Sequence, residues 1–357
     1  MEGFWFDAVS LFVCSFISSS AGRTIHTILL LLPLLIMLVL RLLSLAAAAT
    51  ATAIPAALLP RQNIAPGPVT GDLFIHDPTV VKTPGGTYLA AYTGDNVQLK
   101  TSTDRTRWRN AGAAFPNGAP WTTPYTKGEK NLWAPDLSYI NGVYRLYYSA
   151  SSFGSSRSAI FLATSTTGTS GSWTDRGLVI ESFENSNWNA IDPNLVVDAQ
   201  GRWWLSFGSF WGGLKMIRID PNTGKRLSGD NTFISLAARP SNGGAVEAPV
   251  IKRNGDYYYL WVSFDSCCRG ADSTYRIMVG RSKTIEGPYV DKAGKQMMQG
   301  GGTQMMSSHG SVHGPGHNAV FTDGDGDVLM YHYYNNAGTA QIGINRLRYE
   351  SGWPVIF

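Results

Sequence analysis

Residues 191–209 read IDPNLVVDAQGRWWLSFGS, and this stretch contains the pattern that decides the fold. An acidic opening is followed by a short apolar run, then by a turn containing Asp and Gly, and then by a second run rich in Trp, Leu and Phe. Two short apolar runs separated by a tight turn are typical of antiparallel strands joined as a β-hairpin. We therefore interpret residues 191–209 as one hairpin.

The same pattern occurs five times along the chain. The other copies are HDPTVVKTPGGTYLAAYTG at 76–94, WAPDLSYINGVYRLYYSAS at 133–151, EAPVIKRNGDYYYLWVSF at 247–264 and GHNAVFTDGDGDVLMYHYY at 316–334. The spacing is regular, with intervals of 57, 58 and 56 residues between Pro78, Pro135, Pro193 and Pro249, and then 69 residues to Asn318 in the fifth copy. Such spacing indicates a repeat architecture.

Further strand-like stretches lie between the hairpins, including VQLKTSTD from Val97, AIFLATST from Ala159, LKMIRID from Leu214 and RIMVGRS from Arg276. Each repeat thus holds about four strands and shows no helical periodicity. Five such units predict an all-β fold, a five-bladed β-propeller with four-stranded antiparallel blades around a central channel. A β-sandwich or jelly roll is the competing fold, but it would not explain five hairpins with one shared opening.

The charge of the chain argues against nucleic acid as a partner. The formal net charge is only +4 over 357 residues, and the sequence contains no run of Lys and Arg. Proteins that bind nucleic acid usually carry a clustered basic surface. We therefore expect no nucleic-acid partner.

The first 57 residues differ in kind from the rest. Residues 27–57 read TILLLLPLLIMLVLRLLSLAAAATATAIPAA, and the part from Met37 onward has the apolar stretch and small residues of a signal peptide. We interpret 1–57 as a leader, with 1–36 as an upstream extension and cleavage near 51–57. The alternative is a membrane anchor, because 28–45 nearly reaches the roughly 20 apolar residues of a membrane span.

Removal of this leader would leave a short N-terminal segment at 58–70 and the propeller domain at 71–357, free of the membrane and secreted. The cysteines agree with a fold that needs no disulfide framework. Cys14 lies in the leader, and the adjacent pair Cys267–Cys268 cannot join distant elements. This pair predicts either a vicinal disulfide that stiffens a turn or two partly buried thiols.

The openings of the five hairpins concentrate chemistry-bearing residues. The equivalent positions are occupied by Asp77, Trp133–Ala134, Asp192, Glu247–Ala248 and His317. The first strand of each propeller blade lies innermost, so these openings converge on the axis. Three carboxylates gathered there would raise one another's pKa values, which is common in sites built for acid–base chemistry.

Such a group of acids suits the hydrolysis of a glycosidic bond. Inverting enzymes use one carboxylate to activate water and one carboxylic acid to protonate the leaving oxygen, roughly 6.5–9.5 Å apart. A third acid can keep the pKa of the proton donor high. A single Asp-Pro or Glu-Ala-Pro would usually be only a strand start, so the prediction depends on the three matching positions. We predict a glycoside hydrolase that uses Asp77, Asp192 and Glu247.

Two other motifs favour structural interpretations. DGDGD at 323–327 resembles the start of an EF-hand, but Val328 and Tyr334 stand where its Gly and final Glu would be. We interpret it as a hairpin turn. The GGG at 300–302 lacks the Lys-Ser or Lys-Thr of a phosphate-binding loop, so we interpret it as an ordinary loop.

Longer motifs carry a resemblance to a known family. In chain order they are HDPTVV, NLWAPD, IDPNLVVD, GSFWGG, EAPVI, SFDSCCRG, STYRIMVGRS, EGPYVD and GPGHN. They resemble the arabinan endo-1,5-α-L-arabinosidases of glycoside hydrolase family 43, from about residue 71 to the final GWPV. The resemblance implies that Asp77 is the general base, that Glu247 is the general acid and that Asp192 tunes the pKa of Glu247 and orients it.

The same resemblance implies further site residues. His317 would help to hold a metal ion, usually calcium, through waters on the axis, and His76 would support Asp77. Four residues would line the groove for arabinose units: Trp133, Phe153, Asn194 and Ser209. No organic cofactor is implied.

The function implied is the hydrolysis of internal α-1,5 bonds of arabinan, a pectic polysaccharide, with inversion of configuration. An exo-acting α-L-arabinofuranosidase or a β-xylosidase with the same three acids is one alternative, and a non-catalytic glycan-binding propeller is another. The NLWAPD, GSFWGG and CCRG segments favour the endo-acting branch. We expect a monomer.

Overall fold

The computed structural model describes residues 64–357. The leader predicted at 1–57, its alternative as a membrane anchor and the first part of the segment 58–70 lie outside the described residues. Within residues 64–357, no helix combines the length and the hydrophobicity of a membrane span. The helices of this region are short: Thr123–Thr126, which is α-helical, and the 3-10 turns Pro120–Thr122, Pro240–Asn242, Gly270–Asp272 and Met297–Gln299.

Strands make up most of the described chain. The first ten are β1 (Thr70–Gly71), β2 (Thr79–Lys82), β3 (Tyr88–Tyr92), β4 (Gly94–Asp95), β5 (Gln98–Ser102), β6 (Arg107–Ala113), β7 (Asn131–Ile140), β8 (Val143–Ala150), β9 (Ser158–Ser165) and β10 (Thr174–Ser182). The next eight are β11 (Asn194–Val197), β12 (Trp203–Phe207), β13 (Leu214–Ile219), β14 (Ile234–Ala237), β15 (Val246–Asn254), β16 (Tyr257–Phe264), β17 (Arg276–Ser282) and β18 (Thr303–Met306). The last four are β19 (His313–Asp323), β20 (Gly326–Tyr334), β21 (Ala340–Glu350) and β22 (Trp353–Ile356).

These strands form five sheets, one for each repeat of the sequence. Four antiparallel strands build each blade: β2-β3-β5-β6, β7-β8-β9-β10, β11–β14, β15–β18 and β19–β22. Two short strands are additions, since β1 pairs in parallel with β6 and β4 pairs with the edge of β7. The prediction of a five-bladed β-propeller with four-stranded blades is confirmed.

Each blade packs its two faces against its two neighbours, so the core is divided into five clusters. Successive residues of a strand point to opposite faces. Tyr148 therefore joins the cluster between the first and second blades, whereas Tyr147 joins the cluster between the second and third. Trp203 and Trp204 divide in the same way. Burial on both faces explains why the second strand of each hairpin is a continuous apolar and aromatic run.

Residues 64–73 join the last blade to the first. Gly67 N donates to Ile344 O at 2.8 Å, and Asn345 Nδ2 donates to Ala65 O at 3.0 Å. Immediately afterwards β1 pairs with β6, the outer strand of the first blade. Every blade takes its four main strands from one continuous stretch of chain. No blade combines strands from the two ends of the described chain, so it is this N-terminal segment that ties the last blade to the first.

The turn of the last hairpin makes a second connection to the first blade. Asp323 accepts hydrogen bonds from Lys82 Nζ and Arg105 Nη1, both at 2.6 Å, and another from the Tyr88 hydroxyl. Arg105 also binds Asp325 through two nitrogens, at 2.7 and 2.9 Å. DGDGD thus forms the turn between β19 and β20, as predicted, and Asp323 and Asp325 are paired with cations of the first blade.

Candidate active site

The five hairpin openings share one unusual backbone conformation. The residues concerned are Asp77 (φ 50°), Ala134 (φ 37°), Asp192 (φ 58°), Ala248 (φ 56°) and His317 (φ 44°). A left-handed φ is uncommon for residues other than glycine and is often found where surrounding structure holds a functional group in place. Because this conformation recurs at the same position of every blade, we attribute it to the packing of the blades in the ring rather than to the individual residues.

Polar side chains hold these left-handed residues in place. The backbone N–H of each residue donates a hydrogen bond to a side chain: Asp77 to His332 Nδ1 (3.0 Å), Ala134 to Thr93 Oγ1 (2.7 Å), Asp192 to Ser149 Oγ (3.1 Å), Ala248 to Asp192 Oδ2 (3.1 Å) and His317 to Ser263 Oγ (2.8 Å). In every case the acceptor belongs to the preceding blade. The openings are therefore positioned by hydrogen bonds between neighbouring blades.

Asp77 is buried and has partners on both carboxylate oxygens. Oδ2 accepts from Thr93 Oγ1 at 2.6 Å and lies 2.8 Å from His76 Nδ1, while Oδ1 lies 3.2 Å from His317 Nδ1. Burial opposes ionisation, but His76 and His317 outweigh it and hold the pKa of Asp77 well below its usual range. Asp77 is therefore ionised at neutral pH, which is the state that a general base requires.

A chain of contacts supports His76 in turn. His76 Nε2 lies 2.7 Å from the Tyr334 hydroxyl oxygen, which accepts a hydrogen bond from Cys268 N at 3.1 Å. His76 also stacks on His332 with ring centroids 4.2 Å apart, and burial lowers the pKa of His332 well below its usual range. Ligand atoms of His76, Asp77 and His332 lie within 4.8 Å of one another, a spacing that could hold a metal ion. Because these residues hydrogen bond to one another, we interpret them as the support of the carboxylate.

Cys267 and Cys268 are joined by a disulfide bond. Of the two alternatives that the sequence left open, the structure has the vicinal disulfide. Cys268 Sγ lies 3.9 Å from His76 Nε2, so the bonded pair borders the imidazole that contacts Asp77.

Glu247 is in the opposite electrostatic state to Asp77. Its Oε2 accepts a hydrogen bond from Ser209 Oγ at 2.5 Å, and its Oε1 accepts one from the Tyr275 hydroxyl. Burial, reinforced by the neighbouring carboxylate of Asp192, raises the pKa of Glu247 to about 8. Glu247 therefore keeps its proton at neutral pH, which is the state that a general acid requires.

Asp192 links the two ends of this arrangement. Burial raises its pKa to about 6, with His317 opposing the shift and Asp77 adding to it. Its Oδ2 accepts a hydrogen bond from the N–H of Ala248, the residue that follows Glu247. Asp192 thus affects Glu247 in two ways, because its charge disfavours ionisation there and its oxygen fixes the adjoining peptide.

A channel of about 270 Å³ lies along the inner strands, and His317, Asn318, Asp136 and Asn194 are among the residues on its wall. The contact of His317 Nδ1 with Asp77 leaves Nε2 for another partner, as in histidines that ligate a metal while a carboxylate holds their other nitrogen. The buried amide of Asn318 has no hydrogen-bond partner among the described residues. The buried carboxyl of Asp136, whose pKa burial raises to about 6, lies on the same wall, and nitrogen and oxygen donors of these types are ones that a cation can use.

Two of the residues predicted to line the groove are open to a ligand. Trp133 is half-buried at the opening of the second blade. Phe153 is 87% exposed on the loop between β8 and β9, which is unusual for so large an apolar side chain. An exposed aromatic ring is suited to stacking on a sugar.

The other two have their polar groups engaged within the protein. Asn194 Nδ2 donates to Asp136 Oδ1 at 3.0 Å, and its Oδ1 accepts from Ile251 N at 2.9 Å. These bonds connect three blades, so Asn194 holds the ring together at this point, and its place in the groove stays a prediction. Ser209 hydrogen bonds to Glu247, and we assign it to the support of that acid.

Several residues of the site were not found from the sequence: Thr93, Asp136, Ser149, Ser263, Tyr275, His332 and Tyr334. A signal for some of them was present. Thr93, Ser149, Ser263 and His332 recur near the end of the second strand of their hairpins, 14 or 15 residues after the proline or asparagine of the opening. Polar residues at one position of an apolar strand, repeated in four blades, indicate a shared structural partner.

A scan of family models and two searches for similar proteins agree with this geometry. Residues 68–354 match the family Glycosyl hydrolases family 43. The extracellular endo-alpha-(1->5)-L-arabinanase 1 of Bacillus subtilis (strain 168) is 46% identical over 287 residues, which cover 78% of this chain and 87% of that protein. The extracellular exo-alpha-(1->5)-L-arabinofuranosidase ArbA of Cellvibrio japonicus (strain Ueda107) is 37% identical over 299 residues, or 79% and 86% of the two chains.

A solved structure gives the same result in three dimensions. The GH43 endo-arabinanase from Bacillus licheniformis superposes with a TM-score of 0.76 and is 48% identical, and the match covers 81% of this chain and 99% of that one. The similarity thus extends over the whole propeller.

Proposed function

The chain belongs to glycosyl hydrolases family 43 and is a glycoside hydrolase, and from this membership we propose that it cleaves internal α-1,5-L-arabinofuranosidic bonds of arabinan with inversion of configuration. The observation that carries the proposed mechanism is the opposite protonation of two buried carboxyl groups. The pKa of Asp77 is held low while that of Glu247 is raised to about 8. A pair of acids whose environments separate their pKa values can divide the roles of base and acid at one pH.

In the proposed reaction, Asp77 accepts a proton from a water molecule as the water oxygen attacks the anomeric carbon. The hydrogen bond from Thr93 and the contact with His76 both hold Oδ2 and so fix the carboxylate. Attack from the face opposite the leaving group inverts the anomeric centre. Asp77 becomes a neutral acid and passes the proton to solvent after the product leaves.

On the other side of the bond, Glu247 donates its proton to the glycosidic oxygen as the carbon–oxygen bond breaks. The leaving chain departs as an alcohol, and Glu247 becomes a carboxylate. Burial keeps the proton on Glu247 until that moment, and the charge of Asp192 adds to the effect, because two adjacent negative charges in a buried site repel each other. Reprotonation of Glu247 from solvent restores the starting state.

The axial cation belongs to this proposal as well. His317, with Asn318 and Asp136 on the same channel wall, would hold a calcium ion in part through water. When bound, its positive charge would favour the ionised carboxylate of Asp77 next to His317. The residues of this chain perform the proton transfers.

We also propose that the enzyme is a secreted monomer and that its leader is removed. The signal-like segment ending near residue 57 supports this, and so do the extracellular relatives in Bacillus subtilis and Cellvibrio japonicus. An exo-acting enzyme is the second candidate, because the Cellvibrio relative is named for exo action.

The test is digestion of linear α-1,5-arabinan, with products sized over time. Short oligosaccharides released early, with a rapid fall in viscosity, are the expected result, and proton NMR of the first product should show the inverted anomer. Release of arabinose alone, one end unit at a time, would move the assignment to the exo-acting candidate. Glu247→Gln is the matched control and should lose turnover while it still binds arabino-oligosaccharide. A wild-type protein that binds without cleaving would be a glycan-binding propeller.

A further inference from the structure

Tyr275 is a buried residue next to the site to which neither the sequence motifs nor the proposed mechanism gives a role. It is 2% exposed and stands immediately before β17, at the end of the loop that contains the disulfide. Its ring lies against Gly316, where an added Cβ would be only 2.2 Å from Tyr275 Cδ2. Its ring centroid is 6.0 Å from that of His332. The ring is therefore fixed by the backbone of the fifth blade.

The hydroxyl group of this fixed ring donates a hydrogen bond to Glu247 Oε1. The other carboxyl oxygen, Oε2, is in contact with Ser209 Oγ at 2.5 Å. Both oxygens of Glu247 thus have a defined neighbour, and the two neighbours approach from different blades. Rotation of the carboxyl group would break both contacts at once.

We propose that Tyr275 is a positioning residue for the proton donor: its hydroxyl holds Oε1 of Glu247 and fixes the orientation of the carboxyl group. With Ser209 donating to Oε2, the carboxyl group is held from two sides. This inference rests on the proposed role of Glu247.

The hydrogen bond also strengthens during the reaction. A donor binds an ionised carboxylate about twice as strongly as it binds a neutral acid. As Glu247 gives up its proton, the contact from Tyr275 therefore stabilises the transition state more than the ground state. An interaction of this kind raises kcat and leaves KM unchanged.

The experiment compares two leaving groups. Cleavage of an arabino-oligosaccharide expels a sugar alkoxide, which is a poor leaving group and must be protonated. Cleavage of a 2,4-dinitrophenyl glycoside expels 2,4-dinitrophenolate, which leaves without a proton. Tyr275→Phe keeps the ring and removes the hydroxyl. We expect kcat on arabino-oligosaccharide to fall about tenfold with KM unchanged, and kcat on the 2,4-dinitrophenyl glycoside of arabinobiose to change less than about twofold.

Tyr331→Phe is the matched control. Tyr331 is equally buried and its hydroxyl donates to Asn345 Oδ1 in the fifth blade, at 2.8 Å. It should leave both rates unchanged. A second variant, Gly316→Ala, displaces the Tyr275 ring while keeping its hydroxyl, and should reproduce the dependence on the leaving group.

Equal losses on the two substrates in Tyr275→Phe would show a merely structural role, and an unchanged rate on the oligosaccharide would remove the inference altogether. Failure of the proposed function is distinguishable, because it would be seen in the wild type or in Glu247→Gln rather than in Tyr275→Phe. In that case the wild type cleaves neither substrate, or Glu247→Gln retains its activity on the oligosaccharide.

Discussion

Strand β19 has a carboxylate cluster at each end. Near its start, His317 faces Asp77, and Asp192 and Glu247 complete the first cluster. At its other end, roughly 20 Å away for six residues of extended chain, Asp323 and Asp325 form the second cluster. Both clusters consist of acids from the repeated hairpins, yet their electrostatic surroundings are opposite.

At the turn, cations neutralise the acids. Hydrogen bonding from Arg105 lowers the pKa of Asp325 to about 2, and Lys82 and Tyr88 outweigh the burial of Asp323 and hold its pKa below its usual range. At the openings, no Lys or Arg forms an ion pair with the three acids among the described residues. Burial and mutual repulsion there keep one acid protonated beside one that is ionised. The acids of the chemical site are thus distinguished from those of the turn by the absence of a Lys or Arg partner among the described residues.

The largest expected difference between the two clusters is in activity. Asp77→Asn should lower kcat on arabino-oligosaccharide about 10³-fold, because no base remains to activate water. The 2,4-dinitrophenyl glycoside should show a similar loss, since water attack is needed for either leaving group. Asp323→Asn should retain kcat within about twofold. Steady-state kinetics of both variants checks this, and a comparable loss in Asp323→Asn would remove the distinction between the clusters.

The second difference is in pH dependence. Glu247 must be protonated to act, and its pKa is raised to about 8. We expect kcat/KM to be constant near pH 7, to be halved near pH 8, and to fall about tenfold per pH unit at higher pH, because the protonated fraction of Glu247 then falls tenfold with each unit. Asp323→Asn should have the same profile. A decline that begins near pH 5, the range of an ordinary glutamate, would contradict the raised pKa.

The smallest difference is in stability. Asp323→Asn weakens contacts with Lys82, Tyr88 and Arg105 and should lower the free energy of unfolding by about 2 kcal/mol. Asp325→Asn should have a smaller effect, because the Asp325 side chain is 45% exposed. Thermal denaturation at neutral pH measures both. If Asp325→Asn lowered the stability more than Asp323→Asn, the exposure of the side chain would not determine how much each acid contributes.

The sequence predicts the propeller well because its hairpins repeat, and repetition exposes equivalent positions in a single chain. Asp77, Asp192, Glu247 and His317 could be found in this way. The left-handed backbone at the openings could not, because Ala134 and Ala248 give no sign of it in their side chains. Tyr275 was also missed, since its contact with Glu247 depends on how a loop after β16 folds back onto the axis.

Asn194 shows what the repeat does not specify. Its position directly after Asp192-Pro193 suggests a site residue, but the alternation of side chains along β11 places it in contact with Asp136 and Ile251. Periodicity alone does not say which face of an innermost strand meets a substrate and which meets the next blade. That choice depends on the tilt of the strand, which is a property of the assembled ring.

The closure of the ring by residues 64–73 has a consequence for biosynthesis. Ala65 and Asn345 hydrogen bond across 280 residues of sequence. A ribosome that adds about 5–20 residues per second needs roughly 15–60 s to make the chain between them. For most of that time the outer strand of the first blade has already been made, while the partners of its flanking segment in β21 do not yet exist. The nascent protein must therefore remain an open arc until translation is nearly complete, and its unpaired edges are the surfaces that a chaperone would meet.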